Sequence, residues 1–156
     1  VKEIIQLEEV DKRLLRALQR DGALSHAALA EEVSVSQASV WRRVKALEES
    51  GVLMGAVRLI DPARVGRSVS VMLQIRLKSH DPAKRVAFEA FVDARSEVLE
   101  CYSMSGEWDY WMRIVVQDVA DYERFLMREM LNHENVATTA SHFALSQVKY
   151  TTAIPV

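Results

Sequence analysis

Gln37, Ser39, Trp41, Arg42, Arg43 and Lys45 fall within nine consecutive positions, and no other stretch of this chain gathers groups with so definite a joint chemistry. Guanidinium groups pair with phosphates or with the O6/N7 edge of guanine, a glutamine amide matches adenine, and an indole can lie against a thymine methyl or a sugar. Ser36, immediately before them, reads as a helix N-cap whose hydroxyl accepts a main-chain N–H of the first turn. All six side chains would then ride on one helix. Val40, Val44 and Leu47 bury one side of it, which leaves Gln37, Ser39, Trp41, Arg42 and Arg43 on or near the outer side. The first residues of a recognition helix reach base edges, so Gln37 and Ser39 are candidates for base contacts and Arg42 and Arg43 for phosphate or guanine. Lys45, about a turn further on, is expected at the DNA backbone. Trp41 borders the buried stripe, and it either packs over the domain core or touches a thymine methyl or sugar. The competing reading of the segment is a three-helix bundle with a solvated basic face.

Such a helix needs others to hold it. Val10, Leu14, Leu15 and Leu18 share one face of a first helix that Gly22 would stop, and Leu29, Ala30 and Val33 give the apolar side of a second, capped by Ser25. Gly51 ends the third. Ser25 to Gly51 therefore reads as a helix-turn-helix inside an N-terminal domain spanning residues 1–53. Residues 54–66 read as a linker with a short extended strand, Ala56 to Ile60, and a turn at Asp61-Pro62.

The hydrophobic period then changes from helical to two. Val69, Val71, Leu73, Ile75 and Leu77 alternate with polar or flexible residues as an amphipathic strand. A helix is expected from Pro82 to about Ala94. Strands follow at Val98 to Ser103 and Tyr110 to Gln117, joined as a hairpin by a loop containing Gly106. Tyr122, Phe125, Leu126 and Met130 mark another helix, and Ser141 to Val148 a last strand. The fold class is α+β: a winged-helix-like helix-turn-helix followed by a βαββαβ, ferredoxin-like domain over residues 67–156.

Composition narrows the function. The chain has 156 residues, 49% of them apolar, enough for two small cores. Its apolar runs fall short of the ~20 residues that span a bilayer, and no charged-then-apolar leader is expected at its start. A single cysteine, Cys101, excludes an internal disulfide and fits a reducing cytoplasm. Net charge is −2, and residues 1–60 carry nine Lys/Arg against nine Asp/Glu. Phosphate neutralisation supplies much of the affinity for DNA, so one copy should bind weakly and the positive charge must be multiplied by oligomerisation.

His26, His80, His133 and His142 are scattered without ligand spacing. No metal, no cofactor and no catalytic residue is expected. The pairs Glu8-Glu9, Glu31-Glu32 and Glu48-Glu49 read as solvated helix faces, and Cys101 as a small buried hydrophobe in a strand.

Three segments carry a resemblance. SVSQASVWRRVKALEESGVL, Ser34 to Leu53, resembles the DNA-binding helix and exit of the Lrp/AsnC, or feast/famine, regulators. MSGEWDYWMR, Met104 to Arg113, is similar to that family's ligand-domain hairpin, and SHFALSQVKYTTAIPV, Ser141 to Val156, to its C-terminal strand and tail. Glu107, Trp108 and Trp111 depart from the more usual Asp, Phe/Tyr and Leu. The resemblance implies dimers formed through the sheet that close into tetramers or octamers, with amino-acid effectors bound between ligand domains. It points to branches that respond to cysteine or control branched-chain keto-acid dehydrogenases, hence to cysteine or branched-chain amino acids as effectors.

With that resemblance in place, the hairpin offers matching groups. An amino acid needs an acceptor for its ammonium, which Asp109 could be, and donors for its carboxylate, which main-chain N–H groups around Gly106 could be. Met104, Ser105 and Tyr110 would line the walls, with Thr139 and Ser141 opposite in the family pattern. Two rivals from other classes stand beside this expectation. One is a siroheme-decarboxylase-like enzyme using residues such as His142 and Arg113. The other is an effector-binding assembly protein that does not bind DNA.

Overall fold

The computed structural model describes residues 4–156, which divide into two compact units, residues 4–59 with Lys149–Val156, and Ile60–Val148. In the first unit α1 spans Glu9–Arg20, α2 His26–Val33 and α3 Gln37–Glu49. Each start has a local cause. The Glu8 N–H donates to Asp11 Oδ2 (3.1 Å) before α1, Ser25 Oγ accepts from Ala28 N (3.2 Å) at α2, and Ser36 Oγ accepts from Ser39 N (3.2 Å) at α3. The turn between α2 and α3 is made without glycine: Ser34 takes φ +56°, a left-handed conformation that a side chain disfavours. At the far end of α3, Gly51 takes φ +73° while its N–H and that of Leu53 close the last turn on Glu48 O and Leu47 O, both at 3.0 Å. Leu14, Ala17, Leu29, Ala30, Val33, Val40 and Val44 form the core beneath α3.

Residues 149–156, assigned from sequence to the ferredoxin-like domain, pack instead with this helical unit. Gln19 reads the main chain of Ile154 on both sides, Oε1 accepting from its N–H (2.6 Å) and Nε2 donating to its carbonyl (3.0 Å). Arg16 donates from Nε (3.0 Å) and Nη2 (2.6 Å) to Val156 O. An extended segment has no ladder for its polar groups, and these two side chains of α1 supply partners. The linker stretch Ala56 to Ile60 pairs with no other strand among the described residues, and Val57, Leu59 and Ile60 stand exposed.

The second unit opens with a 3₁₀ turn, Ala63–Val65, then runs β1 Val69–Leu77, α4 Pro82–Asp93, β2 Val98–Ser103, β3 Tyr110–Val116, α5 Val119–Phe125 and β4 Val136–Phe143. A π-helical turn over Leu126–Met130 continues α5. The sheet order is β2-β3-β1-β4 with every neighbouring pair antiparallel, the βαββαβ fold. Val71, Leu73, Ile75 and Leu77 of β1, with Tyr110, Met112 and Ile114 of β3, pack under Phe88 and Val92 of α4 and Tyr122 and Phe125 of α5. The last strand lies earlier than the Ser141 to Val148 read from sequence. It begins at Val136 because Val136 to Phe143 find β1, and the ladder ends once Ala144 N reaches Ser70 O (2.9 Å). None of the described helices is long and apolar enough to cross a membrane.

Candidate functional site

Burial of Val40, Val44 and Leu47 turns the opposite side of α3 outward. Gln37, Trp41, Arg42 and Lys45 are exposed there, Ser39 partly so, and Ser36 is held at the cap. Trp41 is 53% exposed, and its indole is not among the buried core residues. Lys45 Nζ lies 5.1 Å from its ring centroid and 3.7 Å from Glu49 Oε1, so the lysine's stem and charge lie along the same face. Arg42 has no ion pair among the described residues.

Arg43 departs from the sequence expectation. Its Nη1 donates to Asp11 Oδ1 (2.9 Å) and its Nη2 to Glu8 Oε2 (2.8 Å), with the side chain 23% exposed. The hydrogen bonds to Asp11 and then Glu8 hold the guanidinium firmly charged, its pKa above the ordinary arginine value. It ties α3 to the start of α1 rather than standing free on the outer face. Of the positive charges on α3, Arg42 and Lys45 are the ones offered outward.

In the second unit, the tip between β2 and β3 exposes Met104, Ser105 and Gly106, and Gly106 takes φ +112° with open space where a Cβ would stand. Asp109 closes this tip. Its carbonyl accepts from Met104 N (2.8 Å) and its N–H donates to Ile75 O (2.9 Å). Its carboxylate accepts the Leu77 N–H at Oδ2 (2.7 Å) and faces His80 Nε2 at Oδ1 (2.8 Å). Burial opposes ionisation of this carboxyl, but the Leu77 N–H, His80 and nearby Arg76 outweigh it and hold its pKa below the usual aspartate value.

Tyr110, Thr139 and Ser141 do not join the tip. Tyr110 is 2% exposed, packs its ring on Phe88 (5.0 Å) and donates its hydroxyl to Glu89 Oε1 (2.6 Å). Strand alternation explains this: Tyr110 opposes Ile75 on the helix-covered side of the sheet. Thr139 and Ser141 oppose Ile75 and Leu73 across the other edge of β1, and Ser141 Oγ shares a hydrogen bond with Tyr122 OH. β1 separates them from the hairpin within one chain. Trp111 points to the open sheet face beside Tyr102 (5.8 Å), whereas Trp108 lies at the tip under Arg76 (5.2 Å), which also binds Glu107 Oε1 (2.6 Å).

His80 is the residue that sequence reasoning passed over. It lies 29 positions from Asp109, and only the β1–β3 register brings the two together. His142 and Arg113, imagined for tetrapyrrole chemistry, are engaged on the open face, His142 with Gln74 (3.3 Å) and Arg113 with Glu100 (2.7 Å).

A helix-turn-helix with an outward indole and arginine, followed by a βαββαβ sheet, defines a DNA-binding regulator carrying a separate ligand-binding domain. The model for winged helix-turn-helix DNA-binding domains matches residues 7–54, and that for the Lrp/AsnC ligand binding domain matches residues 70–154. The chain belongs to the Lrp/AsnC family of DNA-binding transcriptional regulators. It is 37% identical over 150 residues to the Escherichia coli DNA-binding transcriptional activator DecR, covering 96% of this chain and 99% of that one. An AsnC-family regulator from Agrobacterium tumefaciens superposes with TM-score 0.91 at 40% identity, covering 96% and 97% of the two chains. A Neisseria meningitidis transcriptional regulator solved as a complex with L-Met gives TM-score 0.92 at 29% identity, with the same coverage.

Proposed function

We propose that α3 enters the major groove with Gln37 and Ser39 toward base edges, Trp41 against a thymine methyl or sugar, and Arg42 and Lys45 on phosphates, while Ser36 fixes the helix start. The supporting observation is the exposure of Trp41 next to Arg42, which has no ion pair among the described residues, on a helix whose other side is buried through Val40, Val44 and Leu47. Arg43 acts behind the interface by holding α3 against α1. Two outward charges per copy give weak binding, so operator recognition rests on paired copies reading a pseudo-palindromic site from a homodimer, tetramer or octamer in the cytoplasm.

The effector is an amino acid with an uncharged side chain, cysteine or a branched-chain residue being favoured. Its ammonium meets Asp109 Oδ1 and its carboxylate the N–H groups around Gly106, with Met104 and Ser105 beside it. Thr139 and Ser141 belong to this site only if another copy brings its β4 to the hairpin. The complex of the Neisseria relative with L-Met supports an apolar amino acid as the ligand class. Fluorescence polarisation against the DNA upstream of its own gene is the test, with calorimetry for the effector. Binding that steepens at low salt and moves with an amino acid is expected. No binding at low salt would favour the assembly-protein reading.

A further inference from the structure

The carboxylate assigned to the effector's ammonium is already occupied. Asp109 Oδ2 is committed to the main chain: Leu77 lies beyond Ile75, the last β1 residue paired with β3, and the side chain of Asp109 supplies the acceptor that β3 no longer offers. That leaves Oδ1, and His80 Nε2 sits on it at 2.8 Å. An imidazole N–H on a carboxylate oxygen is the same kind of donor, at the same distance, as an amino acid's ammonium.

The main chain around His80 is held independently of that ring contact. On one side, Ser79 is clamped by the buried Asn135, which accepts from Ser79 N (3.1 Å) and donates to Ser79 O (3.1 Å). On the other, Asp81 caps α4, its Oδ1 accepting from Ala83 N (3.0 Å) and Lys84 N (3.2 Å). The backbone on either side of His80 is therefore fixed, while its side chain is 71% exposed. Leaving Asp109 requires a rotamer change only, and an exposed side chain makes such a change on the picosecond-to-nanosecond scale. Of the arginines near Asp109, Arg76 is bound to Glu107 (2.6 Å) and Arg85 faces Glu89 (3.8 Å), so neither takes Oδ1.

We propose that His80 is the resident occupant of the ammonium position, seated on Asp109 Oδ1 in the unliganded protein and displaced when an amino acid binds. This rests on Asp109 being the ammonium acceptor. His80 is thus a positioning residue that sets effector affinity without touching the bound effector. Removing it exposes a carboxylate oxygen already oriented by Leu77. Replacing it with a permanently charged, longer donor keeps that oxygen filled.

The test compares the full-length wild-type chain with His80→Ala, His80→Arg and Asp109→Asn in a thermal-shift screen over the twenty amino acids, followed by calorimetry with whichever shifts wild type or His80→Ala most. The expected result is tighter binding to His80→Ala, about threefold to fivefold, the size of an exposed charge-assisted pair. His80→Arg should bind more weakly than wild type, and Asp109→Asn should lose binding. Equal affinity of wild type and His80→Ala, with binding still lost in Asp109→Asn, overturns the displacement and leaves the ammonium reading intact. Weaker binding by His80→Ala also overturns it, because His80 would then be a contact of the bound state. Binding retained by Asp109→Asn, or no shift in any chain, overturns the ammonium reading and this inference with it.

Discussion

Arg43 Nη1 lies 2.9 Å from Asp11 Oδ1, and the same Asp11 accepts the Glu8 N–H through its other oxygen, so one carboxylate joins the start of α1 to the middle of α3. Glu8 completes the fork on Nη2 (2.8 Å). One of the two arginines assigned to DNA on sequence grounds is thereby a strut that ties the helix carrying Trp41 and Arg42 to the start of α1.

Arg43→Ala should therefore lower stability and Arg42→Ala should not. The first leaves Asp11, 14% exposed, without its cation, at a cost of about 1–2 kcal/mol. Arg42→Ala should leave the urea midpoint unchanged and reduce the slope of log affinity against log salt by about 1 per recognition helix. Urea titration and salt-dependent polarisation on both variants separate the roles. An Arg43→Ala chain of wild-type stability and reduced salt slope would return Arg43 to the DNA interface.

Ser34 offers a gain. At φ +56° its Cβ is strained, and glycine meets that turn without penalty. Ser34→Gly should raise the stability of the helical unit by about 0.5–1 kcal/mol. Denaturation followed by Trp41 fluorescence in a Trp108→Phe/Trp111→Phe background, which leaves this unit's indole as the sole one, measures it. A lowered midpoint would mean that the serine side chain contributes something glycine cannot.

Acid should unfold the ligand-binding unit partly through Asp121. The Gln117 N–H at 3.1 Å, with Arg124 and Arg67, holds this carboxyl below the ordinary aspartate value against the opposing effect of burial. A folded-state pKa below the unfolded one gives stability that is present above the unfolded value, about 3.9, and disappears as pH falls through it toward the folded value. Asp121→Asn should thus be less stable than wild type at pH 7, with the gap narrower at pH 3. Urea midpoints at the two pH values decide it; a gap independent of pH would remove Asp121's charge from the account.

Cys101 should be a sluggish thiol. Cys101 is exposed on edge strand β2 and is not the buried hydrophobe expected from sequence; register still turns its sulfur to the side of Met112 and α4, where desolvation, reinforced by Glu89, pushes the thiol up to about 11. At pH 8 its reaction with an aromatic disulfide reagent should run on the order of a hundredfold slower than that of a free cysteine thiol of pKa about 8.5. A rate matching free cysteine would show an accessible, unshifted sulfur.

Much of the fold was legible because each device acts locally. Ser25 and Ser36 cap where a hydroxyl followed by an apolar period says they must, and the alternation from Val69 to Leu77 names the buried face of β1 without reference to any partner. Trp41 was ambiguous, since a residue beside a buried stripe can turn either way and only the neighbouring helices decide. The last strand was misplaced because Val136 to Ala140 becomes a strand by pairing with β1, and its own alternation is weak.

By itself, the sequence determined the two periodicities, the caps, and hence which residues share a helix or a strand; these depend on neighbours a few positions away and on backbone geometry common to all chains. Tertiary structure decided what those residues meet. It turned Arg43 inward to Asp11, drew Tyr110 under Phe88, carried Ile154 back to Gln19 and seated His80 on Asp109. Each of these contacts joins positions from 22 to 135 residues apart in the chain. Such pairings follow from sheet register and helix packing, which only the folded arrangement supplies.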